Sequence, residues 1–200
     1  HAYLWGYWLL AVTISVIYDN PEFLRVSAKF LIAFCMLYAV FQKIVSPHFL
    51  NGDFFYYKLL TDSRMSFLGT FIDYDLQSMI SDNKKTIETL KTTSKIQLLN
   101  SGPWILKPIS QILTWYTIII EAAVGILFLL PRKRSHLWQH WVLLCFCTLY
   151  FLIPIKGFAF TLLTLGFVLL DNHETELKIA YLFFFIYIFS LSIFFSEALF

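Results

Sequence analysis

The sequence predicts an all-α fold, a polytopic transmembrane helix bundle of about six spans, and three observations lead there. Hydrophobic residues make up 58% of the chain and charged residues 14%, where a soluble domain carries about 25% charged residues. Mean hydropathy is +0.68, and apolar runs recur near the length of about 20 residues that crosses roughly 30 Å of hydrocarbon. Aromatics reach 20% with 22 Phe; lipid-facing helices can use them, and Trp and Tyr suit the membrane interface.

The spans follow from where apolar runs meet helix breakers. The first covers residues 2–18 and stops at the turn signal Asp19-Asn20-Pro21. The second covers 26–45, ending before Ser46-Pro47, and the third 111–130, ending at Pro131. The fourth, 137–153, ends at Pro154; the fifth, 155–170, is short; the sixth, 178–199, is almost unbroken Phe, Ile, Leu and Tyr. The chain begins at His1 and stops at Phe200 inside an apolar run, so a piece of a longer protein is expected. It reads as a single membrane domain over 1–200.

Within that domain, residues 46–107 form the one sizeable polar region, expected as an interfacial, extracytoplasmic insertion between spans two and three. Residues 48–72 mix aromatics with Asp53, Lys58, Asp62 and Arg64, which suits a segment lying in the interface. Over 76–99, Met79, Ile80, Ile87, Leu90 and Leu98 recur at helical spacing, with Ser81-Asp82 or nearby residues as caps. Lys84, Lys85, Lys91 and Lys95 give that helix a polar face.

Short basic loops favour the cytoplasm. The loop Arg132-Lys133-Arg134 is the most basic, so it is placed inside, together with the Arg25/Lys29 loop and residues 171–178. A bacterial inner membrane is expected, with 46–107 outside. The net charge of +2 is scattered and points to no nucleic acid. Cys145 and Cys147, two apart on a helix, diverge and cannot readily pair. No Gly-rich phosphate loop, Gly-x-Ser-x-Gly elbow or Cys-x-x-Cys pair appears, so nucleotide hydrolysis, serine acylation and thioredoxin-like redox work find no support.

Ionisable residues inside spans are costly and therefore candidates for function. Glu121 stands near the middle of the third span and is expected to face the bundle interior, as a functional acid or as a helix-fastening hydrogen-bond partner. Lys43 stands near the outer end of the second span. Desolvation favours a neutral amine that can act as a base; from spacing alone, snorkelling to the interface is favoured. His136 and His140 share a helix face at four-residue spacing, as metal ligands can, but nearby acidic or thiol partners are missing. They are expected as interfacial helix-start residues, with no metal site.

The stretch Tyr38-Ala39-Val40-Phe41-Gln42-Lys43-Ile44, followed by Phe49-Leu50-Asn51-Gly52-Asp53-Phe54, resembles the central signature of vitamin K-dependent γ-carboxylase and its bacterial relatives, the HTTM proteins. The run from Phe55 to Arg64 continues in the bacterial style. Glu121-Ala122-Ala123-Val124-Gly125-Ile126-Leu127-Phe128-Leu129-Leu130-Pro131 looks like the family span that opens with Glu and ends at a charged loop. DoxX/MauE-type membrane proteins share both features more loosely. The resemblance implies Lys43 as the base that deprotonates a vitamin K-like hydroquinone, the reduced form of a quinone cofactor, and Glu121 is the second candidate catalytic residue. It gives Asn51, Gly52, Asp53, Arg64 and Cys147 to substrate or cofactor binding. Two departures weigh against true protein-glutamate carboxylation: Phe146 is followed by Cys147 where the family carries a histidine, and a large lumenal domain is not expected.

Two functions compete. The first is a quinone- or lipid-linked enzyme or redox module at the outer leaflet, with an apolar cavity lined by Lys43, Glu121 and Cys147. The second is a non-catalytic membrane subunit or scaffold, in which Lys43 points to the headgroups and a neighbouring helix closes off Glu121. Transport would call for broken helices related by a pseudo-repeat, and only the short fifth span hints at one.

Overall fold

Apolar runs punctuated by Pro, Asn and Asp become helices whose ends fall at those residues. The computed structural model describes residues 2–62, 76–92, 102–151 and 156–194, and every regular element among them is helical. In chain order these are α1 (Ala2–Ile17), α2 (Pro21–Val45), α3 (Pro47–Leu50), α4 (Asp53–Thr61) and α5 (Leu76–Thr92). They continue with α6 (Leu106–Leu129), α7 (Arg132–Thr148) with a 3-10 turn at Leu149–Phe151, α8 (Lys156–Val168) and α9 (Thr175–Phe194).

Boundaries shift for local reasons. Helix α2 starts at Pro21 rather than at residue 26, because the Asn20 side chain accepts the Phe23 N–H at 3.0 Å and caps it. The basic turn after Pro131 is itself the first turn of α7. Helix α5 begins at Leu76, so Ser81 and Asp82 lie inside it and do not cap it. The reason is packing: Leu76, Ile80 and Asn83 form one buried stripe, and Asn83 Nδ2 donates to the Leu60 carbonyl of α4 at 3.1 Å. The expected continuation over 93–99 lies outside the described residues, as does Arg64.

Two helices, Pro21–Val45 and Leu106–Leu129, are long and apolar enough to cross a membrane. The apolar stretches Tyr3–Ile17 and Gly157–Val168 are shorter; at 1.5 Å per residue they reach only about 18–23 Å, less than the roughly 30 Å of hydrocarbon. The all-α class therefore stands, while two of the six expected spans meet the criterion of length and composition among the described residues.

The chain divides into two compact units, one of residues 1–41 with 119–200 and one of residues 42–118. In the second unit α3 and α4 pack together and α5 packs on α4. Phe49, Phe54 and Phe55 form a ring cluster there with centroids 5.3–5.8 Å apart. In the first unit α7, α8 and α9 pack on one another. Its core combines Ile32, Met36, Val124, Phe128, Leu143, Leu162 and Tyr181. The outward faces are equally apolar: Phe30, Phe34 and Tyr38 on α2 and Ile179, Leu182, Phe183 and Ile186 on α9 are all exposed.

Gly166 of α8 marks the tightest helix contact in the first unit. A Cβ there would collide with the Tyr181 hydroxyl and stand 2.8 Å from Leu143 Cδ2. Tyr181 is fully buried and cannot swing aside. Gly166→Ala is therefore expected to destabilise the protein by about 1–3 kcal/mol, the usual cost of overpacking a filled core. Thermal unfolding of the detergent-purified variant beside wild type measures it.

Candidate functional site

In the second unit, the residues flanking the end of α2 are held by local chemistry. Ser46 caps α3, accepting the Phe49 N–H through its hydroxyl, and Pro47 supplies the first helical position. This short turn brings the Phe49 ring beneath Lys43, whose Nζ lies 5.4 Å from the ring centroid. A lysine in that position faces the ring quadrupole, which attracts a cation. His48 Nδ1 and Asp53 Oδ2 are 3.3 Å apart on the exposed surface. Asn51 is exposed and its backbone N–H closes the turn onto Pro47 O at 2.9 Å.

Gly52 has a different role from that of its neighbours. It is buried, adopts φ +81° and stands at the N-cap of α4. A Cβ at that position would lie 3.0 Å from Ser110 Oγ and 3.2 Å from the Gln111 backbone nitrogen. Only glycine meets both demands cheaply.

In the first unit, polar side chains point inward. Glu121 is 6% exposed and Cys147 fully buried. Glu121 lies within electrostatic range of Cys35 on α2 and of Tyr150 after α7. Cys145 is exposed where Cys147 is buried, so the two thiols do diverge. Lys43, Asn51, Gly52 and Asp53 thus belong to one unit and Glu121 and Cys147 to the other. No group of three His, Cys, Asp or Glu side chains converges as a metal site requires among the described residues.

A second constellation was not singled out from the sequence. His140, expected at the interface, is fully buried: its Nδ1 lies 2.8 Å from the Tyr181 hydroxyl and its Nε2 3.4 Å from Gln139 Nε2. The rings of Phe128 and Tyr181 meet the imidazole edge-on. Gln139 also borders a cleft of about 180 Å³ lined by Glu22, Arg25, Lys29, Val26 and Leu169. Arg25 donates to Asp171 Oδ1 at 3.0 Å and to the Leu170 carbonyl at 3.2 Å, while Lys29 donates to the Leu130 carbonyl at 2.9 Å. The start of α2, the end of α6 and the α8–α9 turn are thereby tied together. These are the three loops that charge placed on one side.

A groove of about 690 Å³ runs between α1 and α2, lined by apolar side chains such as Tyr7, Phe30 and Phe34 together with Cys35 and Tyr38. Neither this groove nor the cleft is lined by Lys43, Glu121 or Cys147. The signal for Gln139 and His140 was in the sequence: adjacent polar residues flanked by Trp138 and Trp141 at the head of an apolar run. The rule that polar residues inside a span face inward, applied to Glu121, applies equally there. Compared with models of known protein families, with curated proteins and with solved structures, the chain shows no match.

The backbone at Gly52 yields a direct test of its role. Gly52→Ala is expected to destabilise the protein by about 1–2 kcal/mol from the left-handed conformation alone, with a further cost from the contacts at Ser110 and Gln111. Chemical denaturation of the purified variant measures this. Unchanged stability would make Gly52 a surface residue kept for ligand approach.

Proposed function

We propose that this chain is a multi-pass integral membrane protein acting as a non-catalytic helical subunit or scaffold, whose buried polar side chains fasten helices to one another. The observation that carries this reading is an inverted distribution of polarity. On α6, Ser110, Thr114, Thr117 and Glu121 are buried, while Ile112, Trp115, Ile119 and Ile126 of the same helix are exposed. In water such a helix would turn the other way; in hydrocarbon its apolar face meets lipid and its polar face must find partners inside. Thr114 and Thr117 donate to carbonyls one turn back, at 2.9 and 2.7 Å. The two full-length apolar helices point the same way. The site of action is proposed as a bacterial inner membrane, with residues 46–107 extracytoplasmic.

The packing of the half-buried Lys43 side chain on the Phe49 ring supports the scaffold reading. Burial of Glu121 away from both clefts supports it too. The HTTM-like reading, a quinone- or lipid-linked module, is favoured by one observation, the groove that passes Cys35 and Tyr38. Its volume lies in the range of small-molecule sites, about 300–1,000 Å³.

Two measurements separate these possibilities. Single cysteines introduced at Glu22 and Asn172 should label with an impermeant maleimide from one side of the membrane, and one at Asn51 from the other. Labelling of all three from one side, or release of the protein by alkaline carbonate, would refute a membrane-crossing α2. Mass spectrometry of lipids and quinones co-extracted in mild detergent should then show no difference between wild type and Lys43→Ala. A quinone retained by wild type and lost in the variant overturns the scaffold reading in favour of the quinone-linked one.

A further inference from the structure

We infer that the first unit binds one glycerophospholipid with a phosphoethanolamine headgroup, the headgroup seated in the cleft beside Arg25 and one acyl chain lying along the groove between α1 and α2. This rests on the membrane reading above and adds a ligand class to it. The cleft and the groove share Val26 in their linings, so a chamber of about 180 Å³ with charged walls lies next to an apolar one of about 690 Å³. A lipid has that same division between headgroup and chain.

The polar chamber is matched to a phosphate. Arg25 has five N–H donors and Lys29 three. Arg25 gives two of its donors to Asp171 and Leu170, and Lys29 gives one to Leu130. Those bonds fix both side chains and leave the remaining donors for an incoming oxyanion, where charge assistance makes hydrogen bonds strong. The Glu22 carboxylate also lines the cleft, and among the described residues it has no hydrogen-bond or ion-pair partner. It is the natural acceptor for a primary ammonium group.

Charge selects among headgroups. Glu22 and Asp171 offset Arg25 and Lys29, so these four groups supply no excess positive charge for an anionic lipid. A headgroup carrying both signs meets both. A quaternary ammonium is recognised by aromatic cages, and among the described residues no ring lines the cleft; a primary amine instead needs hydrogen-bond acceptors, which Glu22 provides. The groove is long enough for the chain: from Phe23 to Tyr38, α2 rises about 22 Å at 1.5 Å per residue, against about 15 Å for one leaflet.

The test uses the whole chain, purified in mild detergent and exchanged free of native lipid. Phosphatidylethanolamine, phosphatidylcholine and phosphatidylglycerol with identical acyl chains are titrated in turn, and bound lipid is read by native mass spectrometry. Phosphatidylethanolamine should bind on the order of tenfold more tightly than the other two, the equivalent of one charged contact. Glu22→Gln should erase that preference, whereas Lys29→Gln, which keeps a donor for Leu130, should weaken all three lipids alike. Ser27→Phe, which fills the groove, should weaken all three lipids alike; unchanged binding there removes the acyl-chain site. Equal affinity for the ethanolamine and choline lipids, or tighter binding of the glycerol lipid, overturns the headgroup assignment. Unchanged unfolding temperatures in the variants show that a loss of binding is not a loss of fold. Failure of the membrane reading itself is registered separately, by carbonate extraction.

Discussion

A tyrosine hydroxyl with no route to solvent must find its partner on a neighbouring helix, and much of the first unit follows from how Tyr181 does so. Its oxygen lies 2.8 Å from His140 Nδ1, across from α9 to α7. That bond fixes the register between the two helices, because a shift by one residue on either would remove a polar atom from its partner in an apolar core. The ring needs space as well as a partner. Gly166 on α8 provides it, and Phe167 packs edge-on against the same ring. Phe128 of α6 closes the other side of the imidazole. Four helices are thus keyed to one polar contact.

The same constraint explains α6. Its hydroxyls at Ser110, Thr114 and Thr117 bond back to carbonyls of their own helix, which satisfies them without needing a partner elsewhere. Glu121 sits 6% exposed on the same face, within electrostatic range of Cys35 and Tyr150. Interhelical hydrogen bonds in membranes are each worth only about 0.6 kcal/mol on average. Their contribution is therefore one of register, with the bulk of cohesion left to packing among Ile32, Met36, Val124, Leu162 and their neighbours.

Composition and the spacing of Pro, Asn and Asp made the helical class and most helix ends legible, since those signals act within a few residues. The start of α2 was misread by five residues because Glu22 and Arg25 interrupt the apolar run, although the helix accommodates both in its first turns. The start of α5 was misread because Ser81-Asp82 looks like a cap, whereas docking on α4 extends the helix back to Leu76. The loops tied together by Arg25 and Lys29 are ones that charge groups on one side. What charge cannot reveal is that Arg25 reaches Asp171, 146 residues away along the chain. The pairing of His140 with Tyr181 escapes the sequence for the same reason: His140 reads there as an interfacial residue, and its partner stands 41 residues away.

The two ends of α2 carry similar residue types and differ in what remains available. At Lys43, the side-chain nitrogen rests over an aromatic ring, and Gly52 is required by backbone conformation. A motif defined by Lys43 and Gly52 can therefore arise from capping and ring packing alone. At Arg25 and Lys29, fixed cations keep unused donors beside an exposed carboxylate, at the mouth of an apolar groove. Recognition needs preorganised groups whose bonding capacity is not already filled. On that criterion the first turns of α2, which no motif marks, are the better place for a ligand than the signature at its other end.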